Sequence, residues 1–372
     1  MKVATSIIIG NHASADLAGD AVAEAMRKAD ISIASSVLLL LTSEFASNPQ
    51  AAIKAAAKAA NCTQVMGCSA TGIFTEDDWV LDAPAAAAMV FGDDITLALP
   101  NNNPDKQPLL TITAPNAINS TWLNNGSKRY GGVSGDVIGQ GQFSVWQNAK
   151  GDVSGHVEAF FSGVEIATGV SHGVQILTQP LQIQQSNDFD LTQLNHGLPL
   201  HSLQKAWQSH SKNNGAVALH LVIAIYADSA EDIRLGKFNQ TTIICCDEDH
   251  GIITLAQPLK PGQFLSWCLR DTAVAEADFS IMSQQLASQL NNPPDFGLLF
   301  SCLGRGPYFY NGIDRDLKVI TQTFPHMPLL GFYGNGEIAH VNGSNQLLPY
   351  SAVLNLFSAT TTTTIDTDHE LI

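Results

Sequence analysis

Two segments carry the side chains best suited to capturing a small polar molecule. In "SCLGRG", Ser301 and Cys302 end an apolar run, and Arg305 follows between two glycines. A planar guanidinium on a glycine-flanked turn suits two-point capture of a carboxylate. Further on, "GFYGNGEIAH" carries Gly334, Gly336 and then a lone carboxylate, Glu337, which can take an amino group. Together they would hold a zwitterion. The candidate ligand-binding residues are therefore Ser301, Cys302, Arg305, Gly334, Gly336 and Glu337, and the candidate ligand is a small carboxylate or amino acid. Two other readings stay open: Arg305 and Glu337 pair with each other, or Arg305 only holds its turn. If Arg305 serves the ligand, Arg305→Ala removes the ligand response and leaves the fold intact.

Other reactive side chains point less clearly to chemistry. A nucleophilic thiol needs a lowered pKa and a nearby base, whereas Cys68 and Cys302 stand in apolar runs and read as buried, inert thiols. The six cysteines (Cys62, Cys68, Cys245, Cys246, Cys268, Cys302) lack zinc or disulfide spacing and read as reduced. Cys245 and Cys246 are adjacent, so on a strand they face opposite ways. His172 in "VSHGV" reads either as a neutral histidine or as a metal or haem ligand. Arg270 and Asp271 read as structural: Asp271 or Thr272 caps the following helix, leaving Arg270 to a neighbouring carboxylate. The acidic clusters "TEDDW" and "DEDH" read as solvated turns. No constellation requires turnover, so the expectation is a protein that is not an enzyme.

The elements that must position these residues repeat along the chain. An apolar strand "SVLLLL", the helix-favouring "SEFASNPQAAIKAAAKAANC" and a Gly-rich "VMGCSATGIF" recur as "FGLLFSC", "GIDRDLKVITQTF" and "LLGFYGNGEIA". Each copy then reaches another apolar run, "AAAAMVF" or "SAVLNLF". A fainter third copy centres on "YGGVSGDVI", after the possible helix "NAINSTWLNNGSKR" and before "VEAFFSG". This order excludes a dinucleotide fingerprint, which needs glycine spacing of another kind between a strand and a helix. No G-K-[ST] follows any glycine cluster, and "GCSATG" is one residue too long for a hydrolase elbow. The glycines instead mark strands that bulge or come close to other backbone or a ligand. "GFYGNGEIAH" itself reads as a hairpin that forms one wall of a pocket.

Length and composition set the outer limits. A chain of 372 residues exceeds what one core usually supports, so two domains are expected. With 45% hydrophobic and 14% charged residues and no apolar run long enough to span a bilayer, the chain reads as globular and cytoplasmic. Its start, "MKVATSIIIGNH", lacks the features of a secretory leader and reads as a first buried strand. A formal net charge of −16 disfavours nucleic acid and acidic membrane surfaces as partners. Alternating buried strands and amphipathic helices imply an α/β fold of mixed α+β type, in layered sheets with helices on their faces.

These stretches resemble the FIST family of sensory domains. The second half matches its C-terminal region through "GIITLAQPLKPGQFLSWCLRD", "AEADF", "LLFSCLGRG" and "LLGFYGNGEIAHVNGSNQLLPYSAVLNLF". The first half matches its N-terminal region through "VMGCSATGIF", "YGGVSGD" and "SGVEIATGVSHGVQI". One departure is "GVSHGVQI", with Ser-His where many relatives carry Arg-Pro, which puts the ligand preference in doubt. The resemblance implies an N-terminal domain over 30–213, a C-terminal domain over 214–357 and a polar, flexible tail over 358–372. It further implies small-ligand sensing, with output through a histidine kinase or cyclic-dinucleotide enzyme, since no kinase, cyclase or F-box signature is present. An alternative drawn from the family is a haem-based nitric oxide sensor; lacking C-x-x-C-H, such a chain would hold haem non-covalently. An enzyme of unknown reaction is the second alternative.

Overall fold

The computed structural model describes residues 2–92, 95–103, 106–136, 141–152, 154–211 and 215–360. The three repeat copies expand into three modules of one design. The first comprises β1 (Val3–Ile9), α1 (Ala15–Ala29), β2 (Ser36–Thr42), α2 (Gln50–Ala60), β3 (Val65–Ala70), the short pair β4 (Gly72–Thr75) and β5 (Trp79–Val80), and the return strand β6 (Ala85–Phe91). The second repeats the plan with β7 (Thr96–Ala98), β8 (Leu109–Thr113), the single turn α3 (Ser120–Leu123), β9 (Arg129–Val133), β10 (Val145–Gln147), β11 (Lys150–Gly151) and β12 (His156–Ser162).

The third module opens with β13 (Val164–Ser171) and is then interrupted by an insertion. Inserted are β14 (Val174–Ile176), β15 (Leu181–Asn187), β16 (Asp190–Leu194), α4 (Pro199–Ser211), β17 (Val222–Ala227), α5 (Ala230–Arg234), β18 (Asn239–Asp247), β19 (Ile252–Leu255) and β20 (Phe264–Arg270). The module resumes with α6 (Thr272–Ala287), β21 (Phe296–Cys302), α7 (Arg315–Thr323), β22 (Leu329–Gly334), the pair β23 (Glu337–Val341) and β24 (Ser344–Leu348), and β25 (Ala352–Ala359).

In every module the strands that flank the crossover helix pair in parallel: β2 with β3, β8 with β9, and β21 with β22. The short pair that follows does not fold back. It crosses to another module's sheet: β4–β5 joins β22, β10–β11 joins β3, and β23–β24 joins β9. The sheets read β1-β6-β2-β3-β10-β11, β7-β12-β8-β9-β23-β24 and β13-β25-β21-β22-β4-β5. The stretch from Gly331 to His340 is therefore not a hairpin, because its two strands lie in different sheets. Asn335 and Gly336 turn between them, tied to β9 by Asn335 N–H on the Val133 carbonyl at 3.0 Å and Val133 N–H on the Gly336 carbonyl at 2.9 Å. Gly336 sits at φ +130°, a conformation that side chains disfavour.

The three inner faces share one core. Leu40, Phe91, Ile112, Phe161, Phe296 and Phe357 are among its buried members, and Phe296 stacks on Phe357 at 4.4 Å between ring centres. The outer face of the first sheet packs Leu39, Leu41 and Val90 under Val22, Met26 and Ile53 of α1 and α2. A strand covered on both faces must be apolar at every position, which is why "SVLLLL" does not alternate. Helix α1 is absent from the sequence reading although its buried residues Ala18, Ala21, Val22, Ala25, Met26 and Ala29 follow helical spacing. Its stripe is mostly alanine, a weak hydrophobic signal.

The insertion closes on itself. Strand β20 pairs with β15 on one side and β17 on the other, so β20-β15-β16-β19-β18-β17 forms a six-stranded antiparallel barrel with β14 alongside. Helix α4 seals it with Leu200, Leu203 and Ala206, and Ser202 Oγ accepts the indole N–H of Trp267 at 2.8 Å. The division expected at 213/214 lies between α4 and β17, which pack into this same core. Of the tail expected from 358, Ser358 and Ala359 complete β25, and 361–372 lie outside the described residues. "TEDDW" is solvated only in part: Glu76 accepts from Thr5 Oγ1 of the first sheet and Leu329 N–H of the third, joining the two.

One glycine in each Gly-rich strand stands opposite a backbone carbonyl of its parallel neighbour. A Cβ added at Gly67, Gly131 or Gly331 would lie 1.7, 1.8 or 2.1 Å from the carbonyl oxygen of Leu39, Thr111 or Leu299. Gly331→Ala should therefore cost roughly 2–4 kcal/mol in urea unfolding. Gly151→Ala, with nothing within 4 Å of the added carbon, should cost almost nothing. Equal effects would mean that the close approach does not matter.

Candidate functional site

Strands β21 and β22 end side by side at Cys302 and Gly334. The carboxyl ends of parallel strands are where α/β sheets form crevices, because the crossovers there diverge. Around these ends converge Glu337 at the start of β23, Ser351 just before β25, His172 just after β13, Gln240 of β18 and Arg270 closing β20. The seam between barrel and modules runs through this group.

Glu337 is fully buried. Its Oε2 accepts only the Ser351 N–H at 3.3 Å, and Oε1 has no partner. Burial raises its carboxyl well above the usual carboxylate range, against small opposing effects from that bond and from the Arg305 charge. Burial therefore favours its neutral form, a hydrogen-bonding group rather than a counter-ion for an ammonium. Cys302 donates its backbone N–H to the Ser351 carbonyl at 3.1 Å, and its thiol is pushed up by burial and by Glu337.

His172 Nδ1 lies 3.2 Å from Ser351 Oγ, and its ring centre is 5.3 Å from that of Phe238. Burial pushes the imidazole down to about 4, with Asp278 opposing the fall and Arg305 adding to it. Ser351 and Gln240 both engage the ring, so an iron would have to displace one of them. His172 does not fit a haem ligand. Ser351 Oγ also reaches Gln240 Oε1 at 3.4 Å, while Gln240 Nε2 is buried without a partner. Two orphaned polar atoms, Glu337 Oε1 and Gln240 Nε2, thus flank Ser351, where native interiors normally satisfy such groups.

Arg305 is placed otherwise than expected. Its Nε and Nη2 bind Asp316 at 2.7 and 3.3 Å, Nη1 donates to the Ser171 carbonyl at 2.9 Å, and Nη2 reaches Ser171 Oγ at 2.8 Å and the Ala275 carbonyl at 3.1 Å. The guanidinium is buried and has no free edge for a ligand, and its partner is not Glu337. It fastens α7, α6 and the end of β13 together. Gly334 and Gly336 serve the crossover rather than a ligand wall, since a Cβ at Gly334 would meet the Val133 carbonyl at 2.1 Å. Ser301 is buried within β21, opposite Tyr333 and Ala352.

Arg270, expected to pair with a carboxylate, has no such partner among the described residues. Its guanidinium lies 3.8 Å over the Tyr350 ring and 5.0 Å from the Phe309 ring centre. It donates to the His220 carbonyl at 2.8 Å and to the Gly304 carbonyl. Asp271 caps α6, accepting from Ala273 and Val274 N–H at 2.9 Å. Ser351 and Gln240 are missing from the sequence reading. Their only local signal is a polar residue at the mouth of an apolar strand, in "PYSAVLNLF" and "FNQTTIICC".

Three interlocked sheets thus carry an inserted barrel, with incompletely bonded polar groups at their seam. The chain belongs to the FIST family: the FIST N domain matches residues 36–197 and the FIST C domain residues 202–340. FIST domains are generally sensory domains for small-ligand binding in signal transduction. Over 234 residues, 62% of this chain, it is 27% identical to an uncharacterised protein of Mycobacterium tuberculosis. Over 236 residues it is 26% identical to one of Mycobacterium bovis. It spans 61% of the length of each of these relatives. It is also similar to F-box only protein 22 of Pongo abelii, at 35% identity over 69 residues, 18% of this chain and 16% of that protein. Among the described residues no helix is long and apolar enough to cross a membrane.

The buried groups make two kinds of expectation measurable. Arg305→Met should cost roughly 3–5 kcal/mol, because it leaves Asp316 buried without its partner. An unaffected unfolding midpoint would contradict the fastening role. Asp314, which caps α7, is raised to about 6 by burial and by Asp316. The stability it adds is complete below 3.8 and lost as the pH rises through 6. His172 behaves oppositely: its contribution is complete above 6.5 and lost as the pH falls through 4. His172→Gln should therefore be less acid-labile than the parent and Asp314→Asn more so, each by on the order of 2–3 kcal/mol across the window. Urea titrations between pH 4 and 7 would show it, and parallel curves would count against both.

Proposed function

We propose that this chain senses a small carboxylate, amino acids included, at Arg270, and passes the signal to a separately encoded partner. The observation that carries the reading is a half-buried guanidinium with aromatic support and, among the described residues, no carboxylate partner; Cys302 lies between its influence and that of Glu337, which has a free oxygen. An Arg with only carbonyl partners retains its full charge and can accept a bidentate anion. An anion there would face the Gly304 turn, at the carboxyl ends of β21 and β22. A donor or acceptor on the ligand would meet Glu337 or Ser351.

The ligand is retained, not converted. The partner proposed is a histidine kinase or cyclic-dinucleotide enzyme acting in trans, since this chain carries no such signature. The six cysteines are free thiols, the state a reducing cytoplasm maintains.

A thermal-shift screen of amino acids and other carboxylates, followed by calorimetry, tests the reading. At least one should raise the melting temperature and be recovered chemically unchanged. Arg270→Met should abolish the rise while keeping the fold, and Arg270→Lys should retain a weakened one. A response that survives Arg270→Met would overturn the assignment, and conversion of the ligand would make the protein an enzyme.

A further inference from the structure

A second cleft, of about 360 Å³, opens between the barrel and the β23–β24 pair. Tyr226, Asn239, Gln240 and Gln257 form its barrel side, and Leu123 and Leu347 lie opposite. No charged side chain lines it. Asn239 Oδ1 accepts from Gln346 Nε2 at 2.6 Å, so the two walls are bridged at one end. Elsewhere hydrogen-bonding capacity is open to the cleft: among the described residues the side-chain amide of the exposed Gln257 has no protein partner.

We propose that this cleft binds an uncharged planar heterocycle with an amide-type edge, of the nucleobase or nucleoside class. A carboxamide offers one donor and one acceptor in a plane, the pairing with which Asn and Gln read base edges through two parallel bonds. Leucines on the facing wall suit the flat, apolar face of such a ring. The volume is at the lower end for small-molecule sites, enough for a nucleoside and too little for a dinucleotide. With no cation in the lining and a chain charge of −16, a phosphate would be repelled.

The cleft is distinct from the Arg270 crevice but adjoins it through Gln240, whose Oε1 faces Ser351.

Calorimetry on the full chain with adenosine, guanosine, cytidine and uridine tests the proposal. At least one should bind stoichiometrically, and Gln257→Leu, a change on the exposed rim, should weaken it about tenfold or more. Arg270→Met should leave that binding unchanged. The carboxylate response, conversely, should ignore Gln257→Leu, so either site can fail without the other. No binding by any nucleoside, or binding indifferent to Gln257→Leu, would overturn the assignment.

Discussion

The structure depends on an exchange. Each module's Gly-rich strand sends its following short pair to a different module's sheet, and the three exchanges close a ring. No sheet is complete from one module, and none can cover its inner face alone. The crossovers meet one another: a Cβ at Gly135 would stand 3.0 Å from both Asn335 Oδ1 and Thr71 Oγ1, residues of the other two turns. The glycines at 67, 131 and 331 allow the parallel strands to approach closely just before each chain leaves its sheet. A core shared by three sheets then buries large side chains from all of them at once, and the apolar surface removed from water is a large stabilising term.

That constraint explains how the family's two regions relate. The FIST N match ends just after β16 and the FIST C match begins within α4, inside the inserted barrel unit rather than at a seam between compact bodies. The first region supplies β4–β5 to the third sheet, and the second supplies β23–β24 to the second sheet. The barrel is an insertion in one module, entered after Gly173 and left at Arg270. Its two roots lie side by side, as the pairing of Val174 with Arg270 shows. Arg305 grips that root through Ser171, and Asp278 grips it through Ser171 Oγ and Gly173 N–H. The candidate site is therefore built where the inserted body meets its anchor.

How much of this could be read from sequence follows from how local each signal is. The strand, helix and Gly-rich strand recur within short windows, and all three copies are present as parallel units. The partner of each crossing pair is set by contacts far along the chain, as between Leu330 and Thr75, and nothing local distinguishes such a crossing from a hairpin. The site shows the same divide. Cys302 and Glu337, both named from local sequence, stand close enough for the carboxyl to raise the thiol pKa. Arg305 was misassigned because Asp316, eleven positions on, looks like an ordinary exposed residue in the first turn of an amphipathic helix. Ser351 and Gln240, separated by 111 positions, meet only through the insertion.

The two arginines differ in a way that bears on function. Arg305 is paired and fully hydrogen-bonded, the arrangement that makes a buried charge tolerable, and it contributes order rather than responsiveness. Arg270 has carbonyls and an aromatic face but, among the described residues, no carboxylate, and Glu337 has an oxygen unused. A folded chain usually eliminates such loose ends, because each costs stability without adding specificity. Here they gather at one seam, at the end of the parallel pair and around the root of an inserted barrel. Incomplete bonding at the junction of two bodies is what a ligand can complete, and completing it links ligand binding to how firmly the bodies are joined.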